Sequence, residues 1–245
     1  MERVGCQGLV YKSLYDTLRV HVYKNGVVPC QYSFPSSAGF LKAPADVERA
    51  REFVEGHGLK TFVHSNVCFN PSSPLPNNIR TIKDDLQVMS LIGGGGVVIH
   101  VGKHCNRDDA QTSLQTMAST CQELTKYASA ASPLILETPA GQGTELCTTI
   151  EEFANFYRTI ADAKFKVCID TQHVFGAGYD PLEYIETWVS TCPDSLRLIH
   201  LNDSRVECGS RLDRHARVGT GHIGLDKLNQ VCIWAAARDI PLVFE

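Results

Sequence analysis

Eight short apolar runs alternate with longer stretches of helical periodicity, and this constrains the chain more than any other feature. The runs are RVGCQGLV (3–10), VVPCQYSF (27–34), KTFVHS (60–65), GVVIHVG (96–102), PLILET (133–138), FKVCIDT (165–171), LRLIHLND (196–203) and PLVFE (241–245). Residues 44–58, 111–131, 149–163, 181–190 and 225–239 read as helices, with apolar positions recurring three and four apart. Strands buried on both faces with helices between them argue for a parallel sheet covered by helices. Eight such units in 245 residues match an α/β fold of the single (β/α)8 TIM-barrel type, spanning 1–245 as one domain. A doubly wound open sheet is the alternative.

The last six runs each end in, or just after, a residue able to bind metal: His64, His100, Glu137, Asp170, His200 and Glu245. Histidine, aspartate and glutamate fill about one position in seven, so six strand ends in a row are a poor product of chance. In a barrel these ends converge on one rim, where active sites sit. Imidazole and carboxylate together suit zinc, manganese or iron. The set exceeds what one zinc ion needs, so more than one ion is expected. His173 follows Asp170 by three residues, and Asp213 and His215 lie two apart. His173, Asp213 and His215 would make a three-ligand site with open positions, the pattern of a catalytic ion.

Gly219, Gly221 and Gly224 spell G-x-G-x-x-G, a dinucleotide-binding fingerprint. That fingerprint has to follow a strand immediately, yet 17 residues separate Leu201 from Gly219. The glycines therefore read as a tight loop entering the next helix. Gly93 to Gly96 lacks the following Lys-Ser/Thr of a phosphate loop and reads as a helix stop.

Composition removes other classes. The net charge of −4 neither marks nor excludes a nucleic-acid partner, because local basic patches act within a mildly acidic chain. The ten cysteines form no C-x-x-C clasp, so a zinc finger is not expected. The first ten residues hold no apolar run of signal length, and no segment has the ~18–20 apolar residues of a membrane span. The expectation is an intracellular protein of cytoplasm or nucleus, monomeric, with reduced thiols and no membrane partner. His21 and His57 read as surface positions.

Four segments carry a resemblance: VIHVGKH (98–104), LETPAGQG (136–143), CIDTQHVFGAGYD (168–180) and HLNDSRVECGSRLDRHARVGTGHIG (200–224). In this order they resemble the endonuclease IV type of apurinic/apyrimidinic endonuclease, over about Thr61 to Glu245. The resemblance implies a (β/α)8 barrel with three zinc ions, manganese being an alternative at one of them. It implies hydrolysis of double-stranded DNA on the 5′ side of an abasic site, leaving a 3′-hydroxyl and a 5′-deoxyribose phosphate. His64, His100 and Glu137 would hold the first ion. Glu137 would bridge to a second, held also by Asp170, His200 and Glu245. His173, Asp213 and His215 would hold the third. A hydroxide bridging two zincs would attack the phosphodiester in line, with Glu137 and Glu245 as the catalytic carboxylates.

For DNA contacts the candidates are Arg205, Arg211 and Arg214 as phosphate clamps, with Arg217 beside them. Gln31, Tyr32 and Phe34, in the loop after the second strand, are candidates for insertion at the lesion. Phe69 is another, standing in for an aromatic that the family carries at the position of Val67. His104 and His222 are candidates for support of the ligands or contact with DNA. The resemblance also implies a helix after the last strand, absent from this chain, so apolar surface there would lie open and lower stability. Two rivals remain: a xylose-isomerase-like sugar isomerase or epimerase using Glu137, Asp170, His200 and Glu245 around one divalent ion, and a barrel that binds DNA without cutting it.

Overall fold

A computed structural model describes residues 4–66, 68–104, 109–160 and 162–245. The elements run β1 (Val4–Gln7), α1 (Leu14–Asn25), β2 (Cys30–Tyr32), α2 (Ala38–Leu41), α3 (Pro44–His57), β3 (Thr61–His64), α4 (Pro76–Ile92) and β4 (Gly96–His100). Then come α5 (Ala110–Thr125), β5 (Leu134–Glu137), α6 (Ile150–Ile160), β6 (Phe165–Asp170), α7 (Thr171–Gly176) and α8 (Pro181–Thr191). The chain continues through β7 (Leu196–His200), β8 (Asp203–Ser204), β9 (His215–Ala216), α9 (Leu225–Ala236) and β10 (Leu242–Phe244).

Eight strands close a barrel in the order β1-β10-β7-β6-β5-β4-β3-β2, every pair parallel. All eight apolar runs contribute one strand each. The helices start and stop where local chemistry dictates. Proline opens α3, α4 and α8, where its missing N–H costs nothing. Gly58 and Gly93 end α3 and α4 in the left-handed conformation. The Asp180 carboxylate caps α8 by accepting the amides of Leu182 and Glu183.

The barrel interior is a separate layer of six side chains: Phe62, Val98, Ile135, Cys168, Leu198 and Val243. The larger core lies between strands and helices, with Trp188 of α8 fully buried against Phe153 of α6 at 5.0 Å between ring centroids. His21 corrects the surface reading: it is 4 % exposed and packs edge-on to Tyr32, because it lies on the face that α1 turns to the barrel. His57 is exposed. On the last strand Leu242 and Val243 are buried; Phe244 and its register partner Cys6 are partly exposed. Nine cysteines are free among the described residues. No helix among those residues is long and apolar enough to cross a membrane.

Candidate metal centre

Side chains alternate along a strand, so the residue two beyond an inward-facing one also faces inward. Counting two onward from Phe62, Val98, Ile135, Cys168, Leu198 and Val243 gives His64, His100, Glu137, Asp170, His200 and Glu245. The apolar layer therefore forms the floor, and the six strand-end candidate ligands form the layer above it on the C-terminal rim.

The atoms meet closely. His64 Nε2 lies 3.0 Å from Glu137 Oε2, and His100 Nε2 lies 3.4 Å from the same oxygen. His200 Nδ1 is 2.9 Å from Glu137 Oε1 and 3.1 Å from Glu245 Oε2. On the other side, Asp213 reaches His173 Nε2 at 3.4 Å and His215 Nε2 at 3.2 Å. His215 Nε2 is 3.7 Å from Asp170 Oδ2. Two groups have ligand atoms all within 4.8 Å of one another: His64, Glu137, His200 and Glu245, and Asp170, His173 and His215. His100 and Asp213 border these groups, so all nine candidate ligands share one pocket.

The Asp-Thr-x-His motif has a local explanation. Asp170 caps α7: its Oδ1 accepts the amides of Gln172 at 2.7 Å and His173 at 3.0 Å. That cap fixes the first helical turn and delivers His173 to the pocket, while Oδ2 stays available and accepts Asn202 Nδ2 at 2.6 Å.

The fit to a cation is written in the hydrogen bonds. His64 Nδ1 donates to Ser65 O at 2.8 Å, and His173 Nδ1 donates to Thr138 O at 2.8 Å. His200 Nε2 donates to Gln31 Oε1 at 2.9 Å. A carbonyl oxygen can only accept, so each ring keeps its hydrogen on that side. Its other nitrogen then turns toward a carboxylate, and a lone pair facing an anion needs a cation or a proton between them. Nε2 of His173 and of His215 are buried atoms without a hydrogen-bond partner. The donor set of imidazoles and carboxylates fits zinc.

The titration directions agree. Burial opposes charge on His200, yet Cys168, Glu245 and Glu137 outweigh it and hold the ring well above the ordinary range. Burial is likewise outweighed by Glu137 at His64, and by Asp170 and Asp213 at His173 and His215, so these rings also rise. Burial lowers His100, and the neighbouring rings of His64 and His173 add to it. Burial pushes Glu137, Glu245 and Asp213 up, but the imidazoles win at each. Glu245 falls to about 2, chiefly through His200. The cluster is thus built to hold positive charge among anionic carboxylates.

Three supporting residues lie outside the expected ligand set. Gln31 Nε2 donates to Glu245 Oε1 at 2.8 Å, and Gln7 Nε2 to the same oxygen at 3.4 Å. Asn202 Nδ2 joins Asp170 to Glu245 Oε2, the latter at 3.3 Å. Gln7 ends β1, where the strand-end rule that finds the candidate ligands also reaches, and Gln31 is the middle residue of β2. Their amides are not metal-ligand types, so a search for ligands does not flag them.

The expected lesion-inserting side chains are corrected. Gln31 is 0 % exposed and committed to His200 and Glu245. Tyr32 is 1 % exposed and stacks on Phe34 at 5.8 Å, which packs on Phe40. Phe69 is 4 % exposed and borders a cavity of about 430 Å³ beside His64, Ser65 and Asp85. Tyr32, Phe34 and Phe69 point into the barrel–helix core because apolar rings gain more there than in water. Val67 lies outside the described residues. Arg205, Arg211, Arg214 and Arg217 are exposed on the segment carrying Asp213 and His215. His104 lines a separate cavity between α5 and α6, and His222 is exposed beside Arg205 and Arg217.

Comparison with known proteins bears on the family and the fold. Residues 29–231 match the family described as xylose isomerase-like TIM barrel. A probable endonuclease 4 of Symbiobacterium thermophilum is 30% identical over 99% of this chain and 92% of its own length. One of Mycoplasmopsis agalactiae is 34% identical over 75% of this chain and 67% of its own length. Among solved structures, endonuclease IV from Thermus thermophilus superposes with a TM-score of 0.81 at 24% identity, over 99% of this chain and 91% of that one. A D-tagatose 3-epimerase-like protein shares the fold with a TM-score of 0.73 at 17% identity, over 99% of this chain and 89% of that one.

Proposed function

This chain belongs to the endonuclease IV family of xylose isomerase-like TIM barrels, and from that premise we propose that it is a metal-dependent DNA-repair nuclease. Its substrate is double-stranded DNA with an abasic site. It hydrolyses the phosphodiester 5′ to the lesion and leaves a 3′-hydroxyl and a 5′-deoxyribose phosphate. It works inside the cell as a monomer and needs no membrane.

The observation that carries this reading is the convergence of nine candidate ligands, including the Asp213–His215 pair, on one rim pocket. We assign His64, His100 and Glu137 to one zinc ion, Glu137, Asp170, His200 and Glu245 to a second, and His173, Asp213 and His215 to a third; manganese suits one of these positions too. Zinc bound there supplies positive charge for an anionic phosphate and lowers the pKa of water toward neutrality. The protein's own part is to hold the ligands rigid. Gln31 fixes the tautomer of His200 and, with Asn202, the carboxylate of Glu245. Glu245 would orient the attacking water and take its proton, and Glu137, with Oε2 toward His64 and His100 and Oε1 toward His200, would serve ligand groups on both sides. Arg205, Arg211 and Arg214, all exposed beside the pocket, meet DNA phosphates.

Incision of a duplex carrying one abasic-site analogue, with product ends mapped, tests this. The expected result is a single nick immediately 5′ to the lesion, a 3′-hydroxyl, and loss of cutting with a chelator. An intact duplex stays uncut. Absence of the nick in a metal-loaded protein would overturn the reading and favour the sugar-epimerase chemistry that the shared fold also allows.

A further inference from the structure

The G-x-G-x-x-G segment wraps an anion that belongs to the chain itself. Asp203 is 0 % exposed. Its Oδ2 accepts the amides of Gly219 and Gly221, each at 2.9 Å. Its Oδ1 accepts those of Ser204 at 2.8 Å, Ile223 at 3.0 Å and Gly224 at 3.3 Å. Five backbone amides therefore converge on one carboxylate, as they do around phosphate in a nucleotide site. The glycines are needed for this. Gly219 and Gly224 have φ of 81° and 84°, in the left-handed region. A Cβ on Gly221 would lie 2.3 Å from Ser204 O and 2.6 Å from Asp203 Oδ1. The fingerprint thus faces inward, and its amides are already taken.

The same residue anchors the arm that carries two of the proposed ligands. β8 and β9 pair antiparallel, with Asp203 opposite Ala216 and Ser204 opposite His215. The Arg205 amide donates to Arg214 O at 2.9 Å, and that of His222 to Ser204 O at 2.8 Å. The far end of the arm is tied to α7 by the amides of Gly209, donating to Phe175 O at 3.0 Å, and Arg211, donating to Gly176 O at 2.9 Å. Between these ties most side chains are exposed, and the side chains of Asp213 and His215 are 36% and 27% exposed. Little apolar packing holds the arm, so its stem depends on hydrogen bonds.

We propose that Asp203 is a positioning residue for the third metal site: its carboxylate gathers the glycine loop, sets the β8–β9 pairing, and so holds Asp213 and His215 over His173. This rests on the metal-centre reading above. The Asp203→Asn substitution would turn an NH2 group toward amide donors and open the cradle, while His64, His100, Glu137, Asp170, His200 and Glu245 stay on their barrel strands.

The test is zinc titration of the metal-free full chain against a chromophoric competitor. It compares the unsubstituted protein with Asp203→Asn and with Gly221→Ala, which pushes a methyl into the same cradle. The expected result is loss of affinity at one site, about 10-fold or more, with the remaining sites unchanged and the lost site refilled at raised zinc. Unchanged zinc binding in both variants, with the unsubstituted chain loading normally, would overturn the proposal alone. So would loss of every site together with the fold in both variants, since the effect is assigned to the arm only. An unsubstituted chain that binds no zinc would overturn the metal-centre reading itself, and this proposal with it.

Discussion

At Gln31 the two ends of one amide serve different neighbours. The oxygen accepts from His200, and the nitrogen donates to Glu245. Gln31→Leu should keep the fold but free both ligands, weakening zinc binding by about 10- to 100-fold; a competition titration would show it. Tyr32, its neighbour, should behave differently. Tyr32→Ala removes a ring buried against Phe34 and should cost about 3–5 kcal/mol in urea denaturation, with no selective loss of DNA affinity in the protein that remains folded. Asp85 is a separate case. Burial raises its carboxyl to about 7, against the opposing hydrogen bond from Ser37. The unfolded carboxyl titrates near 4, so between about pH 4 and pH 7 the folded state binds the extra proton. Stability then falls as pH rises across that window, by up to about 4 kcal/mol. Asp85→Asn should flatten the pH dependence of the melting temperature between about pH 4 and 7. An unchanged slope would contradict the assignment. At this scale the sequence showed ligand types plainly. The burial of His21 was hidden, because burial depends on which face meets a distant element.

Elements were legible where their signal is local. Each strand declares itself by a short apolar run, and its inward face follows from the period of two. His64, His100, Glu137, Asp170, His200 and Glu245 all inherit their direction from that rule. The α7 turn was legible as well, since Asp170 and His173 lie within one capped turn. What could not be read was the return of residues 205–224 to Asp203, because nothing local in Gly219 or Gly221 names the carboxylate that their amides will meet. Helix caps give a test at this scale. Asp180→Ala removes two amide contacts at the start of α8 and an ion pair with Lys227. It should lower stability by about 0.5–2 kcal/mol and leave zinc affinity unchanged, as read by thermal melts and titration.

For the whole molecule, net charge and local charge point in different directions. The chain carries −4 overall, yet the segment that brings Asp213 and His215 to the pocket also carries the exposed Arg205, Arg211, Arg214 and Arg217. Replacing Arg205 or Arg214 by alanine should weaken binding of abasic duplex and reduce its salt dependence by about one counterion, measured by fluorescence anisotropy across a salt series. Barrel closure ties the first strand to the last, so Gln7 and Glu245 meet across nearly the entire sequence. That contact is a property of the closed fold and of no segment alone. If the nine candidate ligands form one multinuclear metal centre, native mass spectrometry of the full chain after zinc loading should find about three ions per chain, removed by a chelator; a chain that holds only one ion, or none, has no such centre.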